Sequence, residues 1–327
     1  MATAAPAPPR APSVTTPGSE WLPRILMLNL AVEVLIVVTG GLVRLTGSGL
    51  GCPTWPQCVP GSYTPVPHQA EGYHRFIEFG NRTLTSVVGV VALLAVYAVW
   101  RWSGPTRTRW YAVWERGGSR RELMVPALVV LGGVVVQAVL GGITVLTGLS
   151  PITVSLHFLV SMVLVASAAY LVARRPTPTG PRPLVVHPLV ERLAWLTCAV
   201  GAVVLVLGTV VTGSGPHSGD ANEPARFGFD PRTVSWLHAD TVMLFVGLVL
   251  AVWLAARLTG TETTSARAWL AVLGVTALQG VVGYTQYFTG LPWGVVLAHM
   301  LLATLLVVAL TRAVVALRAT EATAPQH

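Results

Sequence analysis

The chain of 327 residues contains no lysine, only three cysteines, and few charges: Asp, Glu and Arg together make up 10%. A soluble globular domain carries about 25% charged residues, so that class is excluded. Disorder is excluded too, because it needs low hydrophobicity with high net charge, and here 53% of the residues are hydrophobic. The cysteines Cys52, Cys58 and Cys198 are too few for a disulfide scaffold and wrongly spaced for a zinc cluster. The formal charge of +8 comes from 21 arginines. Nucleic-acid binding needs basic residues gathered on a solvated face. These fall between apolar runs, so no nucleic acid is expected as a partner. What remains is an integral membrane protein whose first partner is the lipid bilayer.

Residues 1–22, rich in Ala, Pro, Thr and Ser, read as a disordered cytoplasmic tail. They are not a signal peptide, because no apolar segment precedes a small-residue cleavage site. Residues 319–327 read as a second flexible tail. Between the tails lie eight apolar runs, at about 24–45, 77–101, 123–146, 151–173, 190–212, 232–257, 266–288 and 292–317. Each is near the ~20 residues a spanning helix needs. All should be helices, since backbone polar groups find no water in hydrocarbon.

Arginine sets the expected orientation. Sixteen of the 21 fall in the tails or flank the segments after the second, fourth and sixth runs; the other side holds only Arg44, Arg75, Arg82, Arg226 and Arg232. The positive-inside rule then makes both termini cytoplasmic, in a plasma-membrane protein. The outer side carries two long loops, about 46–76 and 213–231, and two tight turns near 147–150 and 289–291. Cys52 and Cys58 lie in the first long loop, where a disulfide can persist. Cys198 falls inside the fifth run and reads as an inert buried thiol.

A repeat runs through the chain. Gln137, Gly141, Thr147-Gly148-Leu149 and His157 recur at a constant offset of 142 as Gln279, Gly283, Thr289-Gly290-Leu291 and His299. Thr46-Gly47-Ser48-Gly49 recurs as Thr212-Gly213-Ser214-Gly215, and Asn81 falls opposite His238. The expected fold is all-α, two four-helix bundles over 23–175 and 186–318, related by a pseudo-twofold along the membrane normal. Each bundle can hold a cofactor in its core.

His157, His238 and His299 lie inside apolar runs, and an ionisable residue there is a functional-site candidate by default. Counted from the outer helix ends, each sits roughly 9–10 Å deep. With no Cys, Asp or Glu beside them, zinc and di-iron sites are disfavoured. Two facing imidazoles, His238 and His299, suit haem iron. All candidate ligands share one level, which argues against an electron wire across the membrane. The helix expected over the second run opens slightly ahead of it, with His74, Glu78, Asn81 and Arg82 on one helix face. Glu78 either pairs with Arg82 at i,i+4 or serves as a catalytic carboxylate beside a cofactor held by His157. Arg44, Arg82 and Arg226 either clamp propionates or extend to water as interfacial side chains.

The run from Arg44 to Cys58, which reads RLTGSGLGCPTWPQC, resembles the first outer loop of the haem A synthase family. The Ile77-Glu78 segment and the helices bearing His157, His238 and His299 are similar to the family as well. Thr212–Asp220 resembles the second outer loop of actinobacterial members. The resemblance covers about 24–317. It implies an oxidoreductase of haem biosynthesis that oxidises a ring methyl group of haem O, through an alcohol, to the formyl group of haem A for cytochrome oxidase. It implies haem b on His238 and His299, the substrate haem on His157, Glu78 as the essential carboxylate, and a Cys52–Cys58 disulfide. A haem O synthase and an electron carrier are the implied protein partners. Two departures stand out. Many members carry His where this chain has Asn81, which leaves His157 alone or brings in His74 as a second ligand. A second cysteine pair found in some members is missing between 213 and 231. The competing reading is a di-haem b-type cytochrome that only transfers electrons and needs no Glu78.

Overall fold

The computed structural model describes residues 21–102, 119–174, 182–220 and 225–319. The tail readings for 1–22 and 319–327 lie outside these residues, except that Trp21 and Leu22 already belong to the first helix and Ala319 is in place. Eight helices follow in order: α1 Trp21–Leu45, α2 His74–Trp102, α3 Ser119–Leu146, α4 Pro151–Arg174, α5 Pro188–Ser214, α6 Pro231–Thr259, α7 Thr263–Phe288 and α8 Trp293–Val315. All eight are long and apolar enough to cross a membrane. Among the described residues there is no β-strand, only isolated bridges. The protein is an all-α integral membrane protein. Its helix ends fall within four residues of those expected.

The helix starts have local causes. Pro151, Pro188 and Pro231 each open a helix, where the missing N–H costs nothing. Asp230 caps α6, its carboxylate accepting the Thr233 N–H at 2.9 Å and hydroxyl at 2.7 Å. Those two bonds hold the Asp230 carboxyl below its ordinary range. The α3–α4 and α7–α8 turns close alike. Leu149 N–H donates to Thr144 O at 2.9 Å and Leu291 N–H to Gln286 O at 2.8 Å, the six-to-one bond of a glycine-ended helix. Gly148 and Gly290 have φ of 60° and 78°, and the following leucines 57° and 61°. A left-handed leucine costs about 1–2 kcal/mol, so both turns need tertiary support. At Leu149 the support is visible: the side chain is 5% exposed and packs at Gly49 and Gly219, where no Cβ intervenes.

Each helix packs on its sequence neighbours. α1 also meets α4, α5 also meets α8, and α8 and α5 lie against α1 and α4 along the seam. The tight cores do not sit at mid-length. α6 buries Phe245, Val249, Val252 and Ala256, α7 buries nothing after Thr276, and α8 nothing before Thr304. In the first half, α4 buries nothing before Met162. The core therefore fills the half opposite the two long loops. The half nearer the loops is filled loosely by partly buried residues. Large apolar side chains such as Leu93, Val135, Leu196, Leu244 and Val281 are exposed, as a lipid-facing surface requires.

The end opposite the long loops is closed by a strap. Val185 N–H donates to Leu317 O at 3.0 Å, Thr261 N–H to Val185 O at 2.9 Å and Ala319 N–H to Pro183 O at 2.9 Å. Arg174 pairs with Glu122 and Arg318 with Glu191 at the same end.

The long-loop end is stitched across the two halves. Arg44 Nε donates to His217 O at 2.6 Å and Arg44 Nη2 to Thr212 O at 2.9 Å. Gly49 N–H donates to Gly219 O at 2.9 Å, and His217 Nε2 lies 2.9 Å from Leu291 O. Arg44 thus joins the end of α1 to the second long loop. Because a bond to a charged donor is worth about 1.5–3 kcal/mol, Arg44→Ala is expected to lower thermal stability in detergent by about 2 kcal/mol. An unchanged melting temperature would show that the clasp holds nothing.

Candidate functional site

Counting along the helices places four polar side chains at one level. His157 is six residues into α4, His238 seven into α6, His299 six into α8 and Asn81 seven into α2. All lie in the loosely filled half. The histidines are partly buried, yet Nδ1 of each is fully enclosed without a hydrogen-bond partner in the protein by distance and angle. The Val204 backbone lies close to the His238 ring. An enclosed, unsatisfied polar group costs about 1–3 kcal/mol. Three of them at one level mark a region built for something other than stability. Each imidazole also lies edge-on to a glycine of the preceding helix: His157 to Gly141, His238 to Gly208 and His299 to Gly283.

Asn81 is different. Thr39 Oγ1 of α1 lies 2.8 Å from Asn81 Oδ1, so the amide is engaged with a hydroxyl. His74, considered as a second ligand, begins α2 and has Nδ1 2.8 Å from Ser48 Oγ. The loop backbone at Gly51 packs directly on the His74 carbonyl. His74 is thus tied to the first long loop.

Glu78 lies one turn below His74 and is 5% exposed. Its Oε2 accepts the Cys52 N–H at 2.7 Å, while Oε1 accepts Arg82 Nη2 at 2.5 Å and Nε at 3.0 Å. Arg82 goes further: Nη2 donates to Cys52 O at 2.7 Å and Nη1 to Thr54 O at 2.9 Å and Gln57 O at 3.3 Å. A guanidinium has five N–H donors, and these five bonds use the full set. Cys52 and Cys58 form a disulfide and are both fully buried. The carboxylate, the guanidinium and the disulfide loop therefore form one unit. The indole of Trp55, in that loop, lies on Gly142 of α3, next to the glycine that faces His157.

Of the residues singled out from sequence, Glu78, Arg82, Cys52 and Cys58 come together, and His238 and His299 share a level across α6–α8 of one half. His157 stands at that level in the other half. Arg44 is bound to loop carbonyls, and Arg226 Nη2 has a long contact to Pro216 O at 3.5 Å. Cys198 is free and partly rather than fully buried. Reading the sequence missed Thr39, His217, and Asn29 with Glu33. The last two are enclosed one turn apart on α1, with both Asn29 amide atoms and Glu33 Oε1 unpartnered. Their four-residue spacing inside an apolar run was the available signal.

The residues fit haem. Three enclosed imidazoles sit in loosely filled space, with no carboxylate or thiolate beside them to favour another metal. Among the described residues no cluster of three or more His, Cys, Asp or Glu could hold a metal ion by protein ligands alone. A metal brought by its own macrocycle needs only one or two.

Comparison with known proteins agrees. The cytochrome oxidase assembly protein family denoted COX15-CtaA matches residues 23–311. The haem A synthase of Lysinibacillus sphaericus is 25% identical over 287 residues, 83% of this chain and 87% of that protein. That of Methylorubrum extorquens is 28% identical over 332 residues, covering 88% and 84%. That of Alkalihalophilus pseudofirmus is 26% identical over 304 residues, covering 88% and 95%.

Proposed function

The chain belongs to the COX15-CtaA family of cytochrome oxidase assembly proteins and acts as a haem A synthase, an enzyme of haem A biosynthesis, and from that premise we propose how its residues divide the work. The substrate is haem O, whose ring methyl group is oxidised through an alcohol to a formyl group. The first half, 23–175, takes the substrate with His157 toward its iron. The second half, 186–318, would hold haem b with His238 and His299 as its ligands. Haem b supplies one-electron redox chemistry when bound. The two halves are related by a pseudo-twofold, the reading that the sequence repeat supports. Both termini face the cytoplasm, which puts the long loops and the disulfide outside.

Within the first half, Glu78 is the catalytic carboxylate. The observation that carries this is its setting: enclosed, at the top of α2, and fixed by the Cys52 N–H and Arg82. A carboxylate so held is aimed and kept from water. It can accept a proton from the reacting carbon or the alcohol, or stabilise positive charge developing there. A purely electron-transferring cytochrome has no use for this constellation. Asn81 leaves His157 as the one imidazole of the first half at the ligand level; His157 would hold the substrate iron, while Asn81 is engaged with Thr39.

Propionate contacts fall to Arg44, Arg82 and Arg226, and for the first two they would replace bonds now made to loop carbonyls. Arg226 needs the smallest change. The likeness of the second loop to actinobacterial members rests on Thr212–Asp220. A haem O synthase handing over so apolar a substrate in the membrane plane, and an electron carrier, are the partners this chemistry calls for.

The disulfide braces the loop that holds Glu78. Closing a ring between residues six apart stabilises by about 2 kcal/mol. A Cys52→Ser/Cys58→Ser variant is expected to melt earlier by that amount and to convert haem O at a rate near the parent's. Loss of turnover with an intact fold and full haem content would instead give the cysteines a redox role.

A further inference from the structure

We infer that Gly283 with Gln279, Gly141 with Gln137, and Gly208 are positioning residues that set the plane and reach of the three iron-ligating imidazoles. The inference rests on the ligand set proposed above and goes beyond it by naming what orients those ligands.

The observation is repeated three times. A Cβ added at Gly283 would lie 3.1 Å from Cε1 and 3.6 Å from Nδ1 of His299. At Gly208 it would lie 3.4 Å from Cε1 and 3.8 Å from Nδ1 of His238, and at Gly141, 3.4 Å from Cε1 of His157. Each imidazole thus turns its Cε1 toward the space that a side chain on the preceding helix would fill. With no Cβ in the way, the glycine leaves the ring room to hold this plane; a methyl group would press on His299 at Gly283 and would just touch His238 at Gly208 and His157 at Gly141. A larger side chain would push the ring outward.

One turn below two of these glycines stands a glutamine that fixes the histidine's own backbone. Gln137 Nε2 donates to His157 O at 2.9 Å, and Gln279 Nε2 to His299 O at 3.0 Å. Gln137 also reaches Ser161 Oγ at 2.5 Å, and Ser161 Oγ donates to His157 O at 3.0 Å. The glycine leaves the ring its space and the glutamine limits the helix rotation that carries it. Both glutamines keep an enclosed Oε1 without a partner, beside a histidine whose Nδ1 also lacks one. In each of these two clasps the glutamine oxygen and the ring nitrogen are not bonded to each other, so the glutamine acts on the imidazole through the backbone it holds.

The fourth position at this level is a built-in contrast. Opposite Asn81, α1 offers Thr39 in hydrogen-bond contact, Gly40 with open space around it, and Gly41 turned to Met300 of α8. The glycine contact accompanies the imidazoles and is missing where the imidazole is replaced.

The repeat seen in the sequence, Gln-x-x-x-Gly followed by His, is accounted for by this arrangement. The other glycines of the same helices are distinct: Gly133 meets Leu164, while Gly280 and Gly132 face open space.

The test is optical and EPR spectroscopy, with a midpoint-potential titration, of the full-length protein purified with its haem. Gly283→Ala is expected to shift the low-spin g-values and the midpoint potential, and Gly283→Val to lose the low-spin signal. Gly280→Ala, one turn away on the same helix, is expected to match the parent, which separates ring contact from a change in helix propensity. Gln279→Leu is expected to hold haem about tenfold more weakly. Should Gly283→Val fail to fold, Gly283→Ala carries the test. Spectra and potential of Gly283→Ala identical to the parent's, or a Gly280→Ala change as large as that of Gly283→Ala, would overturn the inference. A parent protein with no low-spin bis-imidazole signal would overturn the ligand assignment itself, a different and separately visible failure.

Discussion

Glu78→Gln is expected to keep its haem and lose turnover by about 10²–10⁴-fold, the range for removing a positioned acid–base group. The substitution is nearly isosteric, so the loop should stay in place. It exchanges one carboxylate oxygen for an NH₂ group. Glu78 now accepts on both sides, from Cys52 N–H and from Arg82, and the amide can accept on only one. Some stability is lost, comparable to one charge-assisted bond at about 1.5–3 kcal/mol. The competing account, in which Glu78 only anchors Arg82 and the loop, predicts that same stability loss with turnover kept once the variant is folded. Measuring haem content, melting and conversion of haem O on one preparation separates the two. A folded, haem-loaded Glu78→Gln that still converts its substrate at the parent rate would remove Glu78 from the mechanism.

His299→Ala and His238→Ala are each expected to abolish the low-spin b-type signal. With one imidazole gone, the b-type iron would keep only one of its two proposed ligands. His157→Ala should leave that b-type signal untouched and act on the substrate side alone. This asymmetry is the sharper part of the expectation, because a structural histidine in any of the three places would change all signals together through stability. Loss of the b-type signal in His157→Ala, with its retention in His299→Ala, would exchange the roles of the two halves.

The sequence made the helices readable because the bilayer leaves the chain so few choices. A run of apolar residues in hydrocarbon must satisfy its own backbone, and Pro151, Pro188 and Pro231 mark where runs begin. Depth was readable for the same reason, since counting residues from a helix start gives distance along its axis. The common level of His157, His238, His299 and Asn81 follows from that count. The disulfide loop was readable only in part. The spacing of Glu78 and Arg82 gave their ion pair, but nothing local announces that Cys52, 26 residues earlier, would donate its N–H to the same carboxylate. Arg44 shows the same limit. Its place at a helix end suggested a propionate contact, while its bonds run to His217 and Thr212, more than 160 residues along the chain. Glycine at 141 and 283 carried a repeat signal without a meaning until the imidazole edges were seen against it, and Gly208 carried no signal at all.

The account stands or falls on chemistry performed on a bound haem. Its most direct test is chromatography of the haems extracted from the purified protein, produced in cells that also make haem O. The account predicts haem A, or its hydroxylated precursor, together with haem B. Haem B alone, with haem O in those cells unchanged, would contradict it and leave a membrane cytochrome that transfers electrons and alters nothing.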